Sequence, residues 1–186
     1  SSKRWLEILS GGKKSYLYNF FKAYVDYQKK AILGIPGATI IDIVQFNPEV
    51  IELINNNDSI FEIIVRPFVH DIALMRSTEC FELNLKIGID IIKDQFKNFT
   101  PAYLPPEFML KSEQVEILNR HRVSIVFVNP NRFDQESQNR ILKHSYNILG
   151  TVGSQICVIP FSRDITKAYL NSIHYYTANQ WNKKIL

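Results

Sequence analysis

The sequence predicts an α/β fold built on a mostly parallel sheet. Three observations lead there. Short β-rich runs, Ile60–Val65 and Val123–Val128 above all, alternate with longer segments of helical periodicity. Polar loops rich in Pro, amide or charge follow these runs. The balance of 46% hydrophobic and 22% charged residues over 186 positions is that of an ordinary globular chain. It excludes disordered, collagenous and mucin-like classes, and the length predicts a single domain over residues 1–186.

Taken in order, Lys13 to Leu33 places Leu17, Phe20, Phe21, Tyr24 and Ala31 on one helical stripe, and Gly34 with Pro36 stops it. Asn47-Pro48-Glu49 predicts a helix start, with an Asn cap, Pro in the first turn and an acid at the positive helix end. That helix runs to about Asn55, and Asn55–Asp58 is a turn. A buried-type strand follows at 60–65, then a loop from Arg66 to Asp71. The next helix spans about Ser77 to Phe96 and is expected to turn Leu83, Ile87, Ile91 and Ile92 inward. Pro101–Leu104 reads as a short strand. Ser112 caps a helix to about His121, and Val123–Val128 is the clearest strand. Beyond the loop Asn129–Arg132 come a helix to about Leu142, a strand at Gln155–Ile159 and a helix at Asp164–Trp181. Strands separated by such helices make βαβ units, whose chemistry gathers at the carboxyl ends of the strands.

Charge and composition exclude several functions. The net charge is mild, 22 − 18 = +4, and its lysine pairs are dispersed among acids, so no nucleic-acid partner is expected. No apolar stretch reaches the length of a membrane span, and Ser1–Trp5 does not open a signal peptide. Cys80 and Cys157 lie in apolar settings without CxxC spacing and read as buried free thiols, which points to a reducing, cytoplasmic setting. The four histidines include no closely spaced ligand pair for zinc. No GxGxxG, GxxxxGK[ST], GxSxG or HExxH motif is present.

Three loops are candidates for chemistry. In Leu104-Pro105-Pro106-Glu107-Phe108, two prolines fix the backbone ahead of a carboxylate, a rigid mount suited to a nucleophile or base; a Pro-rich turn with a solvated Glu is the plainer alternative. Pro67-Phe68-Val69-His70-Asp71 sets a histidine where it could orient a substrate hydroxyl or serve as structure. Asn129-Pro130-Asn131-Arg132-Phe133 offers amide and guanidinium donors to sugar hydroxyls or a phosphate, or is a capped turn.

Residues 60–107 taken together resemble glycoside hydrolase family 57. Phe61-Glu62, His70 eight positions after Glu62, and Ala73-Leu74 resemble its second conserved region, an acid after a strand followed by a "Tyr-Tyr-His-Pro" loop. Asn84-Leu85-Lys86-Ile87-Gly88, Phe96 and Pro101–Glu107 resemble its third, which ends in Leu-Pro-Glu. Pro160–Asp164 and the helix through Trp181 look like the approach to its fourth. The resemblance covers about residues 35–180. It implies an incomplete (β/α)₇ TIM-like barrel, of the same superfamily as the polysaccharide deacetylases. It implies a retaining α-glucan hydrolase or glucanotransferase with two carboxylates about 5 Å apart and no metal or other cofactor. Glu107 matches the nucleophile. His70 would hold a sugar hydroxyl, and Glu62 would support that loop or reach the substrate; Asp71, Tyr103 and Arg132 are further candidates for substrate binding on residue type and loop position.

The departures define the rival readings. The family's first His-Gln-Pro-type motif is absent, Asp71 replaces Pro after His70, and Asn84 replaces Gln. The acid/base Asp would lie beyond Leu186, so the chain is expected to be a fragment of a larger domain or a shortened relative of a barrel that usually takes about 250 residues. One rival is a non-catalytic carbohydrate-binding or regulatory module, with Phe68, Tyr103 and Phe108 as a stacking platform. The other is a metal-dependent deacetylase, for which His70-Asp71 supplies half of the ligand set. The partner in the first two readings is an oligo- or polysaccharide. Open strand edges of an incomplete barrel leave an oligomer in view.

Overall fold

A computed structural model describes residues 3–111, 113–129, 136, 147–151 and 154–160. Its helices are α1 (Lys3–Leu9), α2 (Tyr16–Asp26), α3 (Gly37–Phe46), α4 (Pro48–Asn55), α5 (Thr78–Gln95) and α6 (Gln114–Arg120). Its strands are β1 (Ala31–Leu33), β2 (Phe61–Val65), β3 (Thr100–Tyr103), β4 (Ile125–Val128), β5 (Asn147–Thr151) and β6 (Ser154–Pro160). They form one sheet in the order β1-β2-β3-β4-β6-β5. Every neighbouring pair is parallel except β5 with β6. The fold is therefore α/β around a parallel sheet, with an antiparallel strand at one edge.

The segment expected as one helix from Lys13 to Leu33 is three elements. Gly11 and Gly12 take positive φ angles of 105° and 55°, which glycine adopts without steric cost, and a short turn spans Gly12–Lys14. The Ser15 hydroxyl then accepts from the Tyr18 N–H at 3.0 Å and starts α2 afresh. After Gln28, at φ 52°, Ala31–Leu33 pairs with Phe61–Ile63 as an edge strand. A three-residue apolar run carries no period, so the helical stripe absorbed it. Helix α3 was not foreseen, because its apolar residues are too continuous to show a face. Strand β5 was not foreseen either; it pairs antiparallel with β6, Asn147 opposite Val158 and Thr151 opposite Ser154.

Asn47 precedes α4 as expected but does not cap it. The side chain is buried, and its amide donates to the Leu9 carbonyl at 2.8 Å and to Ser15 Oγ at 2.6 Å. It ties the amino-terminal helices to the start of α4. Trp5 Nε1–H adds a bond to Asp42 across α1 and α3.

Two apolar clusters hold the sheet. One joins Leu9, Phe21, Ile40, Ile43, Val50, Ile54, Phe61 and Ile92, and so packs α1–α4 and the start of β2 against α5. The other joins Val65, Leu85, Tyr103, Leu118, Val126 and Ile156 under α5 and α6. In α5 the inward residues are Phe81, Leu85, Gly88, Ile89 and Ile92. Leu83 points outward at 59% exposure, and Ile87 and Ile91 are half-buried, so the predicted face was rotated. Ser77 Oγ caps this helix from the Cys80 N–H, which leaves Cys80 on its exposed first turn rather than buried. Cys157 is half-buried in β6. Ser112, the helix at Asp164–Trp181 and, apart from position 136, the helix to Leu142 lie outside the described residues.

Candidate functional site

The carboxyl ends of β2 and β3 lie side by side and bring two of the expected loops together. Leu104 N–H donates to the Val65 carbonyl, carrying the pairing one step past β3. Pro105, Pro106, Glu107 and Phe108 then make a tight turn, with the Phe108 N–H on the Pro105 carbonyl at 3.0 Å. Glu107 sits at φ 55°, ψ 16°, and Phe108 also at φ 55°. Each left-handed residue with a side chain costs roughly 1–2 kcal/mol. Asn129 N–H reaches the Phe108 carbonyl at 3.4 Å, so the end of β4 supports the same turn. Such strain persists only where the surroundings over-determine it, and it clusters at functional sites.

The loop after β2 is clamped on both sides. Gly37 and Ala38 N–H groups donate to the Pro67 and Phe68 carbonyls. Phe68 N–H donates to the Asn84 carbonyl, Val69 N–H to Asn84 Oδ1, and Asn84 Nδ2 returns a bond to the Val69 carbonyl. Gly88 lets α5 lie directly on this loop, since a Cβ there would stand 2.3 Å from the Arg66 carbonyl oxygen. These bonds hold the backbone of Pro67–Val69, immediately ahead of His70. His70 Nε2 stands 3.4 Å from Glu107 Oε1, with both side chains about half exposed, 51% and 53%.

Beneath this pair lies Arg66, only 7% exposed, which the sequence reading passed over as a loop residue. Nη1 donates to the Leu104 carbonyl at 2.7 Å, and Nη2 lies 2.9 Å from His70 Nδ1. Burial lowers its pKa, and the neighbouring Tyr103 and Glu107 work against that shift. The available signal was a guanidinium at the exit of an apolar strand, four residues before His70.

The other expected site residues are placed apart. Tyr103 is fully buried and packs edge-on against Phe81 at 6.2 Å, so it offers no stacking face to a sugar. Burial raises its pKa far above the usual phenol range, which keeps it neutral. Asp71 pairs with Arg76. Glu62, at the start of β2, accepts from Thr100 Oγ1 at 2.7 Å and lines a cleft of about 720 Å³ with Asn55, Lys97 and Phe99. That cleft opens at the amino ends of β1–β3, opposite His70 and Glu107. Arg132 lies outside the described residues. Phe68 and Phe108 are half-buried at the site. Among the described residues, no group of three or more His, Cys, Asp or Glu side chains could hold a metal ion. No described helix is long and apolar enough to cross a membrane.

The fold and this strand-end site place the chain among parallel α/β sheets consistent with a partial TIM-like barrel. No protein-family model and no curated protein matches the sequence. Among solved structures, it is similar to the 4-alpha-glucanotransferase from Thermococcus litoralis, with TM-score 0.69 and 15% identity over 88% of this chain and 26% of that one. It is also similar to a protein from Mycobacterium smegmatis described as a polysaccharide deacetylase, with TM-score 0.60 and 12% identity over 80% of this chain and 46% of that one. The chain thus spans about a quarter of the first and less than half of the second. At these identities the likeness is one of fold.

Proposed function

We propose that this chain carries the nucleophile half of a retaining α-glucan hydrolase or glucanotransferase site, of the glycoside hydrolase family 57 type. The observation behind it is the Glu107 carboxylate, held on a strained Pro-Pro turn at a strand end with His70 Nε2 3.4 Å away. A nucleophile must be fixed within a fraction of an ångström of the anomeric carbon, and a backbone locked by two prolines does that. Glu107 attacks the anomeric carbon as the glycosidic C–O bond breaks, and the leaving sugar oxygen takes the proton of the acid/base carboxylic acid; the same carboxylate then takes a proton from water or a second sugar hydroxyl, whose oxygen displaces Glu107 from the glycosyl–enzyme ester. His70 holds a hydroxyl of the sugar in the reacting subsite. The acid/base carboxylate comes from outside the described residues, and residues 1–186 act as one unit of a larger catalytic domain. The fold shared with the glucanotransferase supports this reading.

The test is Glu107→Gln in the native gene product, assayed on soluble α-glucan oligosaccharides. Turnover falls by at least about 10³-fold and the covalent intermediate no longer forms; retained turnover sinks the assignment. A second reading, a glucan-binding module without catalysis, draws on the half exposure of both His70 and Glu107, which leaves them open to a bound sugar. Calorimetric binding of glucan without product would favour it. The metal-dependent deacetylase is not favoured by the geometry: His70 Nδ1 faces a guanidinium and Asp71 is engaged by Arg76.

A further inference from the structure

Arg66 is the most deeply buried charge near the site, and burying a guanidinium is costly unless its protons find partners. Two of them do. A guanidinium has donors and no acceptor, so His70 Nδ1, at 2.9 Å from Nη2, receives the bond on its lone pair. In the neutral ring the proton then sits on Nε2, the nitrogen that faces Glu107. The other arm of the same fork holds the Leu104 carbonyl, one residue ahead of Pro105-Pro106-Glu107. The end of β1 leaves room for the stem: a Cβ on Gly34 would stand 3.2 Å from Arg66 Cγ and Cδ and 3.0 Å from Leu104 Cδ2.

We propose that Arg66 is the positioning residue of this site, and that its one rigid fork sets both the His70 ring and the turn that mounts Glu107. His70 consequently presents an N–H donor to the substrate face. It reads an acceptor oxygen, such as a sugar hydroxyl or ring oxygen, and does not accept a hydroxyl proton. Lysine cannot replace the fork, because a single ammonium lacks its fixed planar geometry. The identity of the acceptor rests on the glucan reading above; the placement of the ring does not.

The test is long-range ¹H–¹⁵N NMR of the ¹⁵N-histidine-labelled chain at a pH where the ring is neutral. His70 is expected to show a protonated Nε2 and an unprotonated Nδ1, with Nδ1 shifted from the free-imidazole position by the guanidinium bond. The Nδ1 shift is the discriminating signal, because a bond to Glu107 would also keep the proton on Nε2. Arg66→Met, checked for a dispersed backbone spectrum, loses the shift. Glu107→Gln retains it. A proton on Nδ1, an unchanged Nδ1 signal in folded Arg66→Met, or its loss in Glu107→Gln overturns the proposal. Should Arg66→Met fail to fold, Arg66→Lys is read in its place: a single ammonium cannot hold both the Leu104 carbonyl and Nδ1 in the geometry of the fork, so the Nδ1 signal moves, and an unmoved signal is equally fatal. In the native product Arg66→Met lowers kcat about 10²-fold with little change in KM. Turnover that persists in Glu107→Gln, with the Nδ1 signature intact, would sink the glucan reading and leave the role of Arg66 standing.

Discussion

Replacing Gly88 by alanine tests how closely helix α5 must approach the His70 loop. A Cβ at this position would lie 2.3 Å from the Arg66 carbonyl oxygen, 2.8 Å from the Phe68 nitrogen and 2.8 Å from the Pro67 carbonyl carbon. Ordinary contact begins near 3.4 Å, so α5 and the loop must part by about 1 Å. All three atoms are backbone, and no flexible side chain can absorb the move. Overpacking of this kind costs roughly 1–3 kcal/mol. Alanine in a helix interior recovers about 1 kcal/mol of propensity. The net is a loss of about 0–2 kcal/mol, which at a urea slope near 2 kcal/mol/M lowers the unfolding midpoint by up to roughly 1 M. The assay is equilibrium urea unfolding by circular dichroism, with exposed Lys93→Ala in the same helix as a control expected within about 0.5 kcal/mol. Amide exchange supplies the local readout. Protection of the Phe68 and Val69 N–H groups, both bonded to Asn84, falls in Gly88→Ala and holds in the control. A variant as stable as the parent, with these two amides still protected, would falsify the close approach.

Further outcomes follow from the same packing. Leu85→Ala, at a fully buried position of α5, costs about 2–5 kcal/mol in urea unfolding. Asn47→Ala leaves the Leu9 carbonyl and Ser15 hydroxyl without their buried donor, for a loss of roughly 2–3 kcal/mol; a loss under about 0.5 kcal/mol would mean the amino-terminal helices do not depend on that tie. Lys22→Ala removes a solvent-exposed pair with Asp26 and is expected to shift stability by less than about 0.5 kcal/mol.

The sequence by itself carried the fold class and the placement of four strands, at 61–65, 100–103, 125–128 and 154–160. Long β-rich runs and Pro or Gly stops are local signals, legible from propensity and period alone. It also singled out Glu107 and His70, because Pro-Pro before a carboxylate and a histidine in a strand-exit loop are visible as residue types. What it could not show was non-local. A three-residue edge strand at Ala31–Leu33 exists only because Phe61–Ile63 pairs with it. Asn47 looks like a cap until Leu9 and Ser15 close around it. Tyr103 reads as a surface aromatic until Phe81 and the core enclose it.

The site divides along the same line. That Glu107 and His70 meet, 37 positions apart, is a product of β2 and β3 being parallel neighbours, since their carboxyl ends then face one way. The role of Arg66 is tertiary throughout: residue type marks it as a cation, and only the packed strand ends turn it into a buried fork holding His70 and Leu104. Local chemistry chooses which residues can do the work. Burial and strand order decide which of them are held close enough to do it together, because hydrogen bonds and desolvation act over a few ångströms in space and not along the chain.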